Sequence, residues 1–157
     1  ATRIAMMFMP NAYRIVGFGH QTARGAEAVR KGAPHNKSGS VEGQGNGSAM
    51  RSAQIGITFV DSTPLETIAE TARVLSAITH AHPRCLDASV TIALTTRYAA
   101  ASRNQAFDIN GLYTMLLPHI RDPAYVTGLL MVRHFYDQVH VSGPDEPAKK
   151  KVKDALD

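Results

Sequence analysis

STPLETIAETARVLSAIT, residues 62–79, is the most regular stretch of the sequence and determines its fold class. Its apolar residues recur at helical spacing and would form one buried stripe: Leu65, Ile68, Ala72, Leu75 and Ile78. Thr63 can cap this helix, Pro64 suits the first helical position, and Glu66 completes a capping box. The stretch therefore predicts a helix that begins at a Thr63 cap and ends near Thr79.

Helical patterns continue on both sides of this stretch. Candidate helices lie at residues 22–31, 48–55, 85–101, 109–120 and 148–157, and a further one starts at Asp122-Pro123. Thr22 is the expected cap of the first helix and Gly32 its stop, and Pro118 strains or ends the helix at 109–120. Strand signals are few, and residues 55–60 are ambiguous. The chain is therefore predicted as a single all-α domain of several helices.

Composition narrows the class of protein. The chain has 157 residues and is 44% hydrophobic, enough for one domain with a core, and no apolar run is long enough to span a bilayer. A single cysteine, Cys85, excludes an internal disulfide and suits a reducing compartment, so an intracellular, cytoplasmic location is expected. The net charge of +4 is compatible with an anionic ligand. No nucleic-acid-binding motif accompanies it, so nucleic acid is not the expected partner.

Part of the positive charge lies in a basic tail, residues 149–157. Its lysines match a minimal nuclear-import pattern, although a solvated helix end is the commoner origin of such a run.

GQGNGSAMR, residues 43–51, places glycines directly before a predicted helix. Glycine has no Cβ, so its N–H group can approach a ligand closely, and a helix N-terminus adds unpaired donors for an anion such as phosphate. Asn46 can hydrogen-bond a hydroxyl group or tolerate a left-handed turn. The loop lacks the Lys-Ser/Thr ending of a nucleotide P-loop, and no strand clearly precedes it. The alternative to a ligand-binding loop is a structural turn.

The segment after the predicted 63–79 helix carries two histidines, His80 and His82, in a turn that ends at Pro83. Two histidines at this spacing can reach one metal ion, but no third ligand is evident nearby, so no metal site is predicted from them. A histidine that directly follows a helix is otherwise a surface or capping residue.

Three motifs in this order resemble the ADP-ribosylglycohydrolase family, which includes dinitrogenase reductase-activating glycohydrolase. They are GFGHQT at 17–22, GNGSAMR at 45–51 and ITHAHP at 78–83, within a resemblance that covers roughly residues 14–101. The resemblance implies an all-α fold and removal of ADP-ribose from modified proteins, or hydrolysis of related N- or O-linked conjugates. It implies that ADP-ribose is contacted by Gly43, Gln44, Gly45, Asn46, Gly47 and His80, the last on the ribose or phosphate side. Arg51 is expected to hold loop and helix together through an internal salt bridge.

The resemblance also implies two Mg²⁺ ions, held by a Thr-Asp-Asp motif before this region and an Asp-x-Asp-Thr motif after it. Neither motif occurs in this chain. The nearest acidic turns, at 60–63 and 142–146, do not match, and Asp87, Asp108 and Asp122 fit helix caps or exposed helix faces. Magnesium is therefore expected for the family at full length, while this chain supports no metal ligand and identifies no catalytic residue.

Members of the family are longer, so the chain is predicted to be either the central portion of such a protein or a degenerate relative. Helix faces left uncovered would favour self-association. Three functions stay open: a glycohydrolase acting on ADP-ribosylated protein, a non-catalytic sensor of ADP-ribose or a nucleotide, and an all-α interaction module whose basic tail carries the function.

Overall fold

The computed structural model describes residues 19–59, 61–102 and 105–141. This part of the chain forms six α-helices: α1 His20–Arg30, α2 Ala53–Thr58, α3 Leu65–Ala77, α4 Pro83–Ala101, α5 Ile109–Leu116 and α6 Pro123–Val141. Short 3-10 turns lie at His35–Lys37, Ala49–Arg51 and Leu117–His119. No strand occurs among these described residues, and the predicted all-α class is confirmed. Residues 17–18 of the first motif, the acidic turn at 142–146 and the basic tail lie outside the described residues.

The core lies between α3 and α4, which pack against each other more extensively than any other pair of described helices. Six apolar residues of these two helices are at most 1% exposed: Ile68, Ala69, Ala72, Val90, Ala93 and Leu94. Alanines let the two helices approach closely, and each fully buried Ile or Leu contributes roughly 1.5–3 kcal/mol. Of the predicted apolar stripe, Ile68, Ala72 and Ile78 are buried, whereas Leu65 and Leu75 are only half-buried.

The start of α3 differs from the prediction. The helix begins at Leu65, and Thr63 does not cap it. The carbonyl of Pro64 instead accepts the N–H group three residues later, at 3.0 Å. A residue that precedes proline is held in an extended conformation, which favours a later start. Glu66 does not complete a capping box, because its carboxylate pairs with the ring of His119 at 2.8 Å.

The first described helix also differs at its start. Helix α1 begins at His20, because the N–H group of Ala23 reaches the carbonyl of Gly19 at 3.0 Å. Thr22 therefore lies inside the helix and is not its cap. Gly32 follows the helix with φ +91°, the left-handed conformation that glycine adopts without strain, which agrees with its predicted role as the stop.

The helix predicted over residues 48–55 is interrupted. A 3-10 turn, Ala49–Arg51, comes first, and α2 begins only at Ala53. The hydroxyl of Ser52 donates to the carbonyl of Ser48 at 2.8 Å, and such local side-chain bonds compete with a regular helix. The residues after the glycines therefore lack the aligned dipole of an α-helix.

The later helices follow the predictions more closely. Asp108 caps α5 by accepting the N–H group of Asn110 at 2.9 Å. Helix α5 ends at Leu116 and continues as the 3-10 turn that contains Pro118. Helix α4 starts two residues earlier than predicted, at Pro83.

The described residues divide into two compact units, the first ending at Asp122 and the second beginning at Pro123. In the second unit, α6 has an ion pair between Arg133 and Asp137, one turn apart, at 2.9 Å. Its exposed apolar side chains are Leu130, Met131, Val132 and Phe135. None of the described helices is long and apolar enough to cross a membrane.

Candidate functional site

The glycine loop, residues 43–47, is held over the end of α3 by the segment that precedes it. Ser40 forms a single parallel bridge there: its N–H group donates to the carbonyl of Thr79 at 3.3 Å, and its carbonyl accepts the N–H group of Ala81 at 2.8 Å. Gly39 allows this approach, because a Cβ at that position would lie 2.2 Å from the carbonyl oxygen of Ala77. This bridge brings residues 39–47 next to His80.

The ring of His80 lies directly against the glycine loop. A Cβ on Gly47 would come within 2.9 Å of Cε1 and 3.0 Å of Nε2 of this ring, and one on Gly45 would lie 3.5 Å from Nε2. His80 is only 3% exposed. The glycines therefore let the backbone cover a buried imidazole, and the structure brings together the loop and the histidine that the resemblance implicated.

A hydrogen-bonded chain fixes the other side of this ring. Nδ1 of His80 lies 2.8 Å from the hydroxyl of Thr79, and that hydroxyl accepts a 2.6 Å bond from Nη2 of Arg51. Arg51 also donates to the carbonyls of Gly47 and Leu75, each at 3.2 Å. Arg51 thus does tie the loop to α3, but through carbonyls and a hydroxyl rather than the predicted internal salt bridge. Burial lowers the pKa of this guanidinium.

Burial also lowers the pKa of His80, and the charge of Arg51 lowers it further. Both effects disfavour the imidazolium, because it would be poorly solvated and would lie close to a cation. His80 is therefore neutral at neutral pH, with one nitrogen as a donor and the other as an acceptor. Its Nε2 has no hydrogen-bond partner among the described residues.

Gln21, in α1, is a site residue that the sequence analysis missed. Its amide fills the space beside the loop: a Cβ on Gly43 would lie 1.4 Å from its Nε2, and one on Gly45 would lie 3.3 Å from its Oε1. That Oε1 is buried and has no hydrogen-bond partner in the described part of the chain. The motif at 17–22 contains Gln21 and was the available signal, but the resemblance rested on its glycines and threonine.

The remaining loop residues have partners on α4 or lie in solvent. The thiol of Cys85 lies 3.5 Å and 3.4 Å from the carbonyls of Gly43 and Gly45. Burial raises the pKa of this thiol, so it stays protonated and donates. Gln44 accepts a 3.3 Å bond from Nη1 of Arg84, and Asn46 is exposed. The loop is therefore anchored through its carbonyls.

The two histidines have separate roles. His82 caps α4, because its Nδ1 accepts an N–H group of that helix at 3.2 Å, whereas His80 faces the loop.

No group of three His, Cys, Asp or Glu residues in the described ranges is arranged to hold a metal ion. The carboxylate of Asp61 is 99% exposed and pairs with Arg97 at 2.8 Å.

Asp87 differs most from its prediction as a cap or an exposed helix residue. It is 1% exposed, and its Oδ1 accepts a 2.6 Å bond from Arg73. Its Oδ2 accepts the backbone N–H groups of Arg121 and Asp122 at 3.0 Å and 2.6 Å. The pattern of α4 alone does not reveal these partners, because they come from other segments of the chain.

The fold and this site define an all-α protein with a glycine-rich loop over a buried, neutral histidine. The sequence model of the ADP-ribosylglycohydrolase family matches residues 3–155, and the chain belongs to this family. The match extends well beyond residues 14–101, the region that the resemblance covered. Comparisons with curated proteins and with solved structures gave no match.

Membership supports hydrolase activity of the ADP-ribosylglycohydrolase type, and the family is generally metal-dependent. The described residues do not fit a magnesium pair, which needs several carboxylate oxygens free to coordinate. Both oxygens of Asp87 are occupied by Arg73 and backbone N–H groups, and Asp108 caps a helix. No step is therefore derived through a metal ion.

Proposed function

We propose that the corner formed by the glycine loop and His80 binds ADP-ribose, in a protein that removes ADP-ribose from modified proteins or related conjugates. The observation that carries the proposal is the buried ring of His80, whose Nε2 faces Gly45 and Gly47 without a partner in the described residues. This Nε2 is not one of the fully buried unpaired atoms of the described residues, so it stays accessible to a ligand or to water.

The chemistry of the corner suits this ligand. ADP-ribose carries a diphosphate, which takes hydrogen-bond donors, and ribose hydroxyls, which both donate and accept. Nε2 of His80 can donate, and the buried Oε1 of Gln21 can accept a hydrogen bond from a hydroxyl group. The proposal assigns binding and orientation of ADP-ribose to these residues and assigns none of them to cleavage of the glycosidic bond.

Calorimetry with ADP-ribose tests the binding site. We expect the wild-type protein to bind and Gly45→Val not to bind, because the added methyl groups would enter the space between Gln21 and His80. His80→Ala should weaken binding by about 1–2 kcal/mol, the usual cost of a lost hydrogen bond with an unpaired partner. Gly128→Ala is the matched control, since no atom lies within 4 Å of its added Cβ. Equal affinity for the wild type and Gly45→Val would disprove this site.

Release of ADP-ribose from arginine- or serine-modified protein tests the activity. Because the described residues do not fit a magnesium pair, we expect no turnover from this chain by itself. A longer chain that also carries the acidic motifs of the family should release ADP-ribose, and this turnover should require Mg²⁺ and stop on addition of EDTA. A second candidate function is ADP-ribose sensing without hydrolysis, in this chain or as part of a longer one. The pairing of Asp61 and Asp87 with arginines favours it. Binding of ADP-ribose by such a longer chain without turnover, with and without Mg²⁺, would support the sensor.

A further inference from the structure

The direction of each hydrogen bond at His80 follows from Arg51. A guanidinium has only donors, so the hydroxyl oxygen of Thr79 must be the acceptor in its 2.6 Å bond to Nη2. The single hydrogen of that hydroxyl is then available for Nδ1 of His80, at 2.8 Å. Thr79 is 7% exposed, and the described residues offer its hydrogen no other acceptor.

This direction determines where the neutral ring carries its proton. Nδ1 accepts from Thr79, so the imidazole hydrogen must be on Nε2. Nε2 lies against the loop, 3.0 Å from a Cβ position on Gly47 and 3.5 Å from one on Gly45. The ring therefore presents a donor to anything that binds at the loop.

We propose that Thr79 is a positioning residue, which holds His80 as an Nε2–H donor for an oxygen atom of the bound ligand. This inference rests on the proposed function, because it specifies the kind of ligand atom that the corner accepts. That atom is a hydrogen-bond-accepting oxygen, on either the diphosphate or the terminal ribose. Arg51 acts through Thr79, since its bond occupies one of the two lone pairs of the hydroxyl, and the ring is the acceptor within reach of the hydroxyl hydrogen.

Nitrogen NMR of the His80 ring tests the hydrogen-bond direction without any ligand. In the wild-type protein near pH 7 we expect Nε2 protonated and Nδ1 unprotonated, with the resonance of a hydrogen-bonded nitrogen. Thr79→Val keeps the shape of the side chain but removes the hydroxyl, so the Nδ1 resonance should move to that of a free ring nitrogen. Thr79→Ser should restore the wild-type spectrum. Thr71→Val, within α3 and bonded only to the carbonyl of Thr67 in that helix, is the matched control.

The wild-type spectrum alone can overturn the proposal. A proton on Nδ1 would mean that Thr79 accepts from the ring, whether or not Thr79→Val folds. An unchanged Nδ1 resonance in Thr79→Val would equally contradict it.

Ligand affinity supplies the second readout. We expect Thr79→Val to bind ADP-ribose about tenfold more weakly than the wild type, and Thr79→Ser to bind with nearly wild-type affinity. ADP, which lacks the terminal ribose, identifies the oxygen: equal weakening for ADP and ADP-ribose assigns it to the shared diphosphate portion, and weakening for ADP-ribose alone assigns it to the terminal ribose.

The proposed function and the positioning role of Thr79 can be disproved separately. Absence of ADP-ribose binding by the wild-type protein would overturn the proposed function. Wild-type binding with equal affinity in Thr79→Val would leave the proposed function in place and overturn the positioning role of Thr79.

Discussion

Two buried polar clusters in the first unit differ in where their unpaired atoms lie. Both oxygens of Asp87 are occupied, one by Arg73 and the other by two backbone N–H groups. The hydrogen bonds from Arg51 through Thr79 end instead at Nδ1 of His80. The other ring nitrogen, Nε2, faces the glycine loop without a partner in the described ranges. Asp87 and His80 are similarly buried, at 1% and 3% exposed. Each cluster keeps one unpaired nitrogen: Nε of Arg73 lies beside Glu70, whereas Nε2 of His80 faces the glycine loop. The position of the unpaired atom, rather than burial or hydrogen-bond satisfaction alone, therefore marks the candidate binding site.

Asp87→Asn should give the largest effect. It leaves the buried guanidinium of Arg73 without its counter-charge, and breaking such a pair costs about 3–5 kcal/mol. Arg73 retains the carboxylate of Glu70, 3.4 Å from its Nε and outside hydrogen-bond geometry. Denaturant unfolding would measure the loss, and Asp61→Asn, at a 99% exposed carboxylate, is the control with an expected change below about 1 kcal/mol.

A structural role for Asp87 would be contradicted if Asp87→Asn abolished ADP-ribose binding while leaving the free energy of unfolding unchanged. That result would place Asp87 in the binding machinery. We expect instead that the fraction of Asp87→Asn that folds binds ADP-ribose with wild-type affinity.

Gly47→Ala comes next in size. Its Cβ would lie 2.9 Å from Cε1 of His80, so the ring or the loop must shift. We expect the affinity for ADP-ribose to fall at least about tenfold, or roughly 1.4 kcal/mol. Gly128→Ala in α6 meets no atom within 4 Å and should leave the affinity unchanged. Full binding by Gly47→Ala would show that close approach of the loop to the ring is not needed.

The pH dependence of stability should show the smallest effect. The pKa of His80 is lowered from its ordinary 6.5, so below that pH the unfolded chain binds a proton that the folded protein resists. The unfolded state then holds more protons, and stability falls as pH falls from 6.5 towards the lowered pKa, with a slope of at most about 1.4 kcal/mol per pH unit. His80→Gln removes this contribution and leaves those of the other histidines. Identical pH slopes for the two proteins would contradict a neutral, buried His80.

The sequence predicted the helices and the loop well because both depend on local signals. The apolar stripe of α3 and the Asp108 cap are set by residues a few positions apart, and the glycines at 43–47 are visible as a motif. The partners of Asp87 come from positions 14 to 35 residues away, so spacing along one helix could not reveal them. The missing capping box of α3 had a similar cause, since Glu66 pairs with a histidine more than fifty residues later.

Gln21 shows the same limit at the site itself. Its position against Gly43 and Gly45 depends on how α1 packs beside the loop, which no local pattern encodes. The roles of His80 and His82 were likewise separated by tertiary contacts rather than by their spacing of two residues.

Titration of nitrogen-15-labelled protein with ADP-ribose tests whether the ligand binds at the glycine loop and not at Asp87, because one series of spectra reports on both clusters. The account predicts that the backbone amide signals of Gly43, Gly45 and Gly47, the ring nitrogens of His80 and the side-chain amide of Gln21 move together and saturate with one dissociation constant. The backbone amide signals of Arg121 and Asp122, which Asp87 binds, should stay in place. Saturable shifts centred on Arg121 and Asp122 with an unperturbed glycine loop, or no saturable shift anywhere, would contradict the account.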